Sequence, residues 1–144
     1  RSMATDDLEA AARQADIISC ATLSTEPLIA GEWLKPGAHV DLVGAFKPTM
    51  RETDDQCVLR ATRFVDTRAG VLSEGGDIVQ PIAAGLITAE SIAADLAELT
   101  RKSRPGRTDD AEITLFKSVG ASLEDLAGAI FAFEENNRDA ADEL

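Results

Sequence analysis

The stretch from His39 to Asp55, HVDLVGAFKPTMRETDD, constrains this chain more than any other: a short apolar strand halts at a glycine, and a polar, proline-bearing loop follows. Val40, Leu42 and Val43 form a β-prone core run, and Gly44 stands where a side chain would obstruct whatever lies above the strand end. Open parallel α/β sheets bind ligands beyond the carboxyl ends of their strands, which makes the loop from Ala45 to Glu52 the first place to look for chemistry.

The flanking sequence supplies the rest of such a sheet. Thr5 is read as the N-cap of a helix ending near Gln14, with Leu8, Ala11, Ala12 and Ile17 marking its inner side. Asp16 to Thr22, DIISCAT, is a nearly continuous apolar run, expected for a parallel strand covered on both faces. A hydroxyl-rich loop ending at Pro27, a short amphipathic piece with Trp33 and Leu34, and the turn Lys35-Pro36-Gly37 lead into the central strand. Asp54 and Asp55 open a helix to about Thr62, and Arg63 to Thr67 is a third strand. This alternation of helix and strand reads as α/β, a doubly wound parallel sheet over residues 1–67.

From Arg68 the pattern turns helical, with Val71 to Ser73, a break at Gly75-Gly76-Asp77, then Ile78 to Ala84. A helix from Ser91 to Lys102, capped by Thr88, carries Ile92, Leu96 and Leu99 on one face, and the proline-glycine loop Ser103 to Asp110 closes this segment, residues 68–110. Residues 111–144 hold a last strand, Ile113 to Lys117, and a long helix opened by Ser118-Val119-Gly120 with Leu123, Leu126, Ile130 and Phe133 at helical spacing. The acidic tail from Glu134 to Leu144 is read as a fraying, solvated end.

Composition narrows the function classes. The 144 residues are 44% hydrophobic, enough for one core of domain size. A formal charge of −12 and the lack of any Lys/Arg run argue against nucleic acid and against anionic membrane surfaces. No apolar run approaches the ~20 residues of a membrane span. Cys20 and Cys57 lack metal-ligand spacing and are read as buried free thiols, which points to a reducing cytoplasm. His39, the single histidine, begins a strand and is read as structural; with no Cys/His pair at ligand spacing, no metal site is expected. The Gly-x-Gly-x-x-Gly turn that holds a dinucleotide pyrophosphate is missing, and the chain opens inside a capped helix. It is therefore expected to be the carboxyl-terminal part of a longer polypeptide.

DIISCATLSTEP, GEWLKPGAHVDLVGAFKPTMRETDD, FVDT, EGGD and ITLFKSVGASLEDLAGA, in this order, resemble the ornithine cyclodeaminase/mu-crystallin family. The likeness covers Asp16 to Ala129. It implies a homodimeric enzyme using NAD or NADP, with the second half of a Rossmann-like sheet here, helices returning to a dimerisation and substrate domain, and the upstream half of the fold, glycine loop included, before Arg1. It implies cofactor contacts at Thr22, at Val40, Asp41, Leu42, Val43 and Gly44, and at Ser118 near the nicotinamide, with Val119 near a small amino or imino acid substrate. Ser118 is also expected to cap the last helix and offer a donor at its positive end. Lys47 and Arg51 read either as solvated loop charges or as contacts to cofactor phosphate or substrate carboxylate. Asp66 and Asp77 read as local turn or cap acceptors.

Three activities fit the resemblance: reduction of a cyclic imine such as a pyrroline-2-carboxylate, cyclodeamination of ornithine with catalytic NAD, and ligand binding without turnover, as in mu-crystallin. The cyclodeaminases carry a proton-handling aspartate where this chain has Phe46, and an aromatic ring exchanges no proton near neutral pH. The catalytic group therefore stays unassigned, and reduction is the expected reaction.

Overall fold

The computed structural model describes residues 2–141, with side chains through residue 136. Five parallel strands form one sheet in the order β1-β2-β5-β3-β4. They are β1 (Ile17–Cys20), β2 (His39–Leu42), β3 (Thr62–Val65), β4 (Ile92–Asp95) and β5 (Thr114–Lys117). The last strand in sequence lies between the second and third, so residues 111–117 complete a sheet whose neighbours were laid down more than fifty positions earlier. The expected parallel α/β sheet is what the chain forms.

The helices are α1 (Leu8–Gln14), α2 (Asp55–Arg60), α3 (Arg68–Glu74), α4 (Gly76–Ala83), α5 (Leu96–Thr100) and α6 (Ser122–Ala141). Side-chain caps mark the starts of α1, α2, α3 and α5, whereas α4 begins at Gly75 without one. Asp54 accepts from Cys57 N at α2, Thr67 from Gly70 N at α3, and at α5 Asp95 and Glu98 form a reciprocal capping box. The core lies on one face of the sheet. Val40, Leu42, Val65 and Leu115 point into it and meet Val58, Val71 and Ile78 from the helices, all fully buried.

Several boundaries depart from the sequence reading. Asp7, not Thr5, caps α1; the Thr5 hydroxyl instead accepts from Asp7 N. Of the side chains assigned to the inner side of α1, only Ala12 is buried, while Leu8 and Ile17 are exposed. β1 is an edge strand paired with β2 alone, and Ile17 and Ser19 stand on an uncovered face, so the expected double coverage does not hold among the described residues. The piece with Trp33 is one 3-10 turn, Gly31–Trp33.

The helix expected over Ser91 to Lys102 is instead strand β4 followed by α5. Ile92 and Ala94 alternate into the core, and pairing with β3 satisfies their backbone. α6 begins at Ser122 rather than at Ser118. Its helix runs on through Glu134 to Ala141, where a fraying tail was expected, and residues 142–144 lie outside the description.

Candidate functional site at the carboxyl edge of the sheet

Four strand ends are tied together where the chain leaves the sheet. Val43 N and Gly44 N donate to Cys20 O, Ser118 N to Leu42 O, and Asp66 N to Lys117 O, which carries the ladder one step beyond β1, β2, β5 and β3. Alternation along β2 then divides the residues of the site. Val40 and Leu42 are fully buried in the core and offer only backbone to the crevice, whereas Asp41 and Val43 point to the opposite face. Asp41 accepts from the Ser19 hydroxyl at 2.9 Å, and Val43, expected in the core run with Val40 and Leu42, is instead 47% exposed at the strand end because alternation turns it to the other face.

Gly44 is required by what lies beneath it. A Cβ there would fall 2.1 Å from Glu52 Oε1 and 2.3 Å from Thr22 O. Ala45 follows at φ 43°, a left-handed conformation rare for a residue with a side chain, and its carbonyl accepts from Gly76 N. The chain therefore turns sharply off β2 and leaves Phe46 exposed, with Lys47 Nζ 5.9 Å from the ring centroid.

Three buried acids hold this edge. Asp66, at the end of β3, accepts at Oδ2 from the Ser118 hydroxyl (3.0 Å), Val119 N (2.8 Å) and Gly120 N (2.9 Å), and at Oδ1 from Thr67 N. Ser118 therefore serves the Asp66 carboxylate and the loop, not the start of α6. Asp77, in the first turn of α4, accepts at Oδ1 from Glu52 N, Thr53 N and Thr53 Oγ1. Glu52 Oε1 accepts from Thr22 N at 2.6 Å. Asp66 and Asp77 are therefore not the local turn or cap acceptors expected: apart from Thr67 N, the donors they hold come from loops far away in sequence, brought alongside by the folding of the sheet.

Lys117 completes the set. It is fully buried, its Nζ donates to Leu42 O and Gly44 O, and it lies 3.9 Å from Asp77 Oδ2. Burial pushes its ammonium below the usual lysine range, while Asp77 and Glu52 pull it back up. Glu52 was not singled out from the sequence, and Lys117 entered only as the end of the last strand and part of the family motif Phe116-Lys117-Ser118, with no role of its own. Alternation from Leu115 through Phe116 to Lys117 signals the lysine's inward direction, whereas nothing local marks Glu52 as buried.

The remaining expected residues are placed as follows. Thr22 is half-buried, and its hydroxyl accepts from Ser24 N. Arg51 is engaged locally, donating to Thr53 O and pairing with Asp55, while Lys47 is exposed. Cys20 and Cys57 are buried free thiols, and burial pushes Cys20 up to about 11. His39 Nδ1 meets Thr114 Oγ1 at 2.8 Å, and Arg107 Nη2 donates to the same oxygen. The imidazole is thus held in a local hydrogen-bond cluster at the amino end of β2, away from the carboxyl edge. No group of three metal-ligating side chains occurs among the described residues, nor is any described helix long and apolar enough to cross a membrane.

A cavity of about 760 Å³ lies elsewhere, bordered by Asp16, His39, Phe64, Thr114 and Phe116 toward the amino ends of the strands. Its size does not make it the site. The converging backbone groups, hydroxyls and buried acids all lie at the carboxyl edge, where parallel sheets bind ligands.

Residues 2–139 match the model of the ornithine cyclodeaminase/mu-crystallin family. The chain belongs to this family. It is 50% identical over 123 residues to the delta(1)-pyrroline-2-carboxylate reductase of Paracoccus denitrificans, an alignment covering 85% of this chain and 39% of that protein. It is 38% identical to ketimine reductase mu-crystallin of Mus musculus over 83% of this chain and 36% of that one. Among solved structures, the Thermococcus litoralis delta(1)-pyrroline-2-carboxylate reductase in complex with NADH and L-proline superposes with a TM-score of 0.85 at 38% identity, over 92% of this chain and 41% of that chain. The chain thus spans about two-fifths of the length of these relatives.

The donor set of the carboxyl edge fits the nicotinamide end of a dinucleotide. Exposed Val43 and Phe46 present apolar surface suited to a flat ring, and the Thr22 and Ser118 hydroxyls lie at the same edge, engaged with Ser24 N and with Asp66 and Gly120 N. No glycine-rich turn for the pyrophosphate is present in the 144 residues.

Proposed function

We propose that this chain forms the nicotinamide half of the active site of an NAD(P)-dependent reductase acting on a small cyclic imino acid of the pyrroline-2-carboxylate type. The observation that carries this reading is the convergence of Thr22, Val43, Gly44 and Ser118 on one sheet edge, locked there by buried Asp66, Glu52 and Lys117. Bound nicotinamide cofactor supplies the hydride; the chain supplies orientation. Val40 to Gly44 give a backbone floor, Val43 keeps water from one side of the ring, and Ser118 borders it. Val119 and Lys47 face the substrate, with Lys47 free to meet a carboxylate. Arg51 is a weaker substrate contact, since its guanidinium already serves Thr53 and Asp55.

Ornithine cyclodeamination is disfavoured by Phe46, which offers no proton at the position where that chemistry uses a carboxylate. The protein acts as a cytoplasmic homodimer. Exposed Leu123, Leu126, Ile130, Phe131 and Phe133 along α6 supply apolar surface for assembly. The test is a paired assay on the full-length protein. Oxidation of NADH or NADPH dependent on a cyclic imino acid, with little ammonia from L-ornithine, is the expected result. Ornithine-dependent ammonia release without imine-dependent NAD(P)H loss would reverse the assignment.

A further inference from the structure

The residues beneath the proposed nicotinamide site are an unusual choice for a core. Glu52, Asp77 and Lys117 are all fully shielded from solvent, and Glu52 Oε2 and Asp77 Oδ2 have no hydrogen-bond partner among the described residues. Apolar side chains of similar volume stabilise a buried position as well as an ionic cluster or better, and unmet buried acceptors add a cost. Stability alone therefore does not account for this trio. Its connections do.

Starting from β1, Thr22 N donates to Glu52, whose own backbone N–H donates to Asp77 Oδ1; Asp77 Oδ2 faces Lys117; and Lys117 Nζ donates to Leu42 O and Gly44 O at the end of β2. The chain of contacts begins at Thr22, just past β1, passes through the loop residue Glu52 and Asp77 of α4, and ends at the carbonyls that close β2. The left-handed Ala45 lies directly after the Gly44 carbonyl that Lys117 holds.

We propose that Glu52, Asp77 and Lys117 are positioning residues that set the height of Thr22 and of the Gly44–Ala45 turn beneath the nicotinamide ring, with Glu52 acting through its hydrogen bond from Thr22 N. The inference deepens the functional reading above and rests on it. None of the three touches cofactor or substrate. Glu52 acts by geometry: it needs an acceptor oxygen at the Oε1 position, and a negative charge placed elsewhere does not replace it.

Three variants of the full-length protein separate these roles: Glu52→Gln, Glu52→Asp and Glu52→Ala. Dissociation constants for NADH and NADPH are measured by fluorescence titration, urea midpoints report folding, and the Thr22 amide proton resonance is followed without cofactor. Glu52→Ala is expected to weaken cofactor binding by about tenfold or more, the scale of one lost charge-assisted hydrogen bond, and to move the Thr22 amide upfield. Glu52→Gln, whose carbonyl still reaches Thr22 N, is expected to recover most of the affinity. Glu52→Asp keeps the charge, withdraws the oxygen by one methylene and is expected to bind more weakly than Glu52→Gln.

Where Glu52→Ala fails to fold, the order of the other two variants decides. Glu52→Asp binding more tightly than Glu52→Gln would overturn the inference, as would folded Glu52→Ala binding within twofold of wild type. Wild-type protein that binds neither NADH nor NADPH would overturn the functional reading and the inference with it.

Discussion

Asp66→Ala is the substitution with the most to reveal about how the site is built. The carboxylate is 3% exposed and accepts four hydrogen bonds, from Thr67 N, the Ser118 hydroxyl, Val119 N and Gly120 N. Removing it leaves those donors to find other partners. Val119 and Gly120 are open enough for water to replace the acid, and Gly120 N keeps Ser118 Oγ at 3.1 Å, so two of the four losses are partly compensated. The Thr67 and Ser118 donors, with the cavity left behind, set a destabilisation of about 2–4 kcal/mol.

In a urea titration this lowers the midpoint by roughly 1–2 M at an m-value of about 2 kcal/mol/M, with the slope unchanged. Asp66→Asn is intermediate: its carbonyl can keep the three donors around Ser118, but its amide then opposes Thr67 N, for about 1–2 kcal/mol. An Asp66→Ala midpoint within experimental error of wild type, at equal slope, would refute the claim that this acid holds the Ser118–Gly120 loop.

Other perturbations test separate parts of the account. Gly44→Ala places its Cβ 2.3 Å from the Thr22 carbonyl, a backbone atom that cannot yield cheaply, and should destabilise by about 2–3 kcal/mol in the same titration; a neutral result would refute the close packing of β1 against the Gly44 turn. Cys20, pushed up to about 11, and Cys57, pushed higher still by burial, should react with a chromogenic disulfide only after unfolding at pH 8, where roughly one Cys20 in a thousand is thiolate. Rapid titration of either thiol in the native protein would contradict their burial.

His39 lies below its ordinary range because of burial, with Asp41 opposing and Arg107 adding to the shift. Its folded pKa is depressed, so the unfolded chain binds the proton more tightly, and this contribution to stability is present above the unfolded value near 6.5 and lost as pH falls through the folded one. His39→Gln should flatten the stability profile between about pH 7 and 5; an unchanged slope would remove His39 as its source.

What could be read from the sequence depended on whether a signal was local. The strand before Gly44, the Asp54 cap, the buried thiols and the exposed loop from Ser103 to Asp110 each follow from a few adjacent residues, and the structure has them in place. The segment from Ile92 to Leu99 misled because its spacing of four and three suits a helix face and a strand–helix junction equally. The Asp95–Glu98 capping box was the better signal, marking a helix start in mid-pattern. The wiring beneath the crevice was not legible for a different reason. Glu52 and Lys117 are charged residues in polar or strand-end surroundings, and only the insertion of β5 between β2 and β3 buries them together. Sequence spacing carries no trace of a contact 73 positions apart, such as that between Lys117 and Gly44.

The central claim is that the carboxyl edge of this sheet receives the nicotinamide ring, and a crystal structure of the full-length protein with NADH or NADPH tests it most directly. The account expects the ring in contact with Val43, bordered by Thr22 and Ser118, with Asp66, Glu52 and Lys117 in the positions described. A ring seated in the cavity between His39 and Phe116 near the amino ends of the strands, or on any other surface, would contradict it.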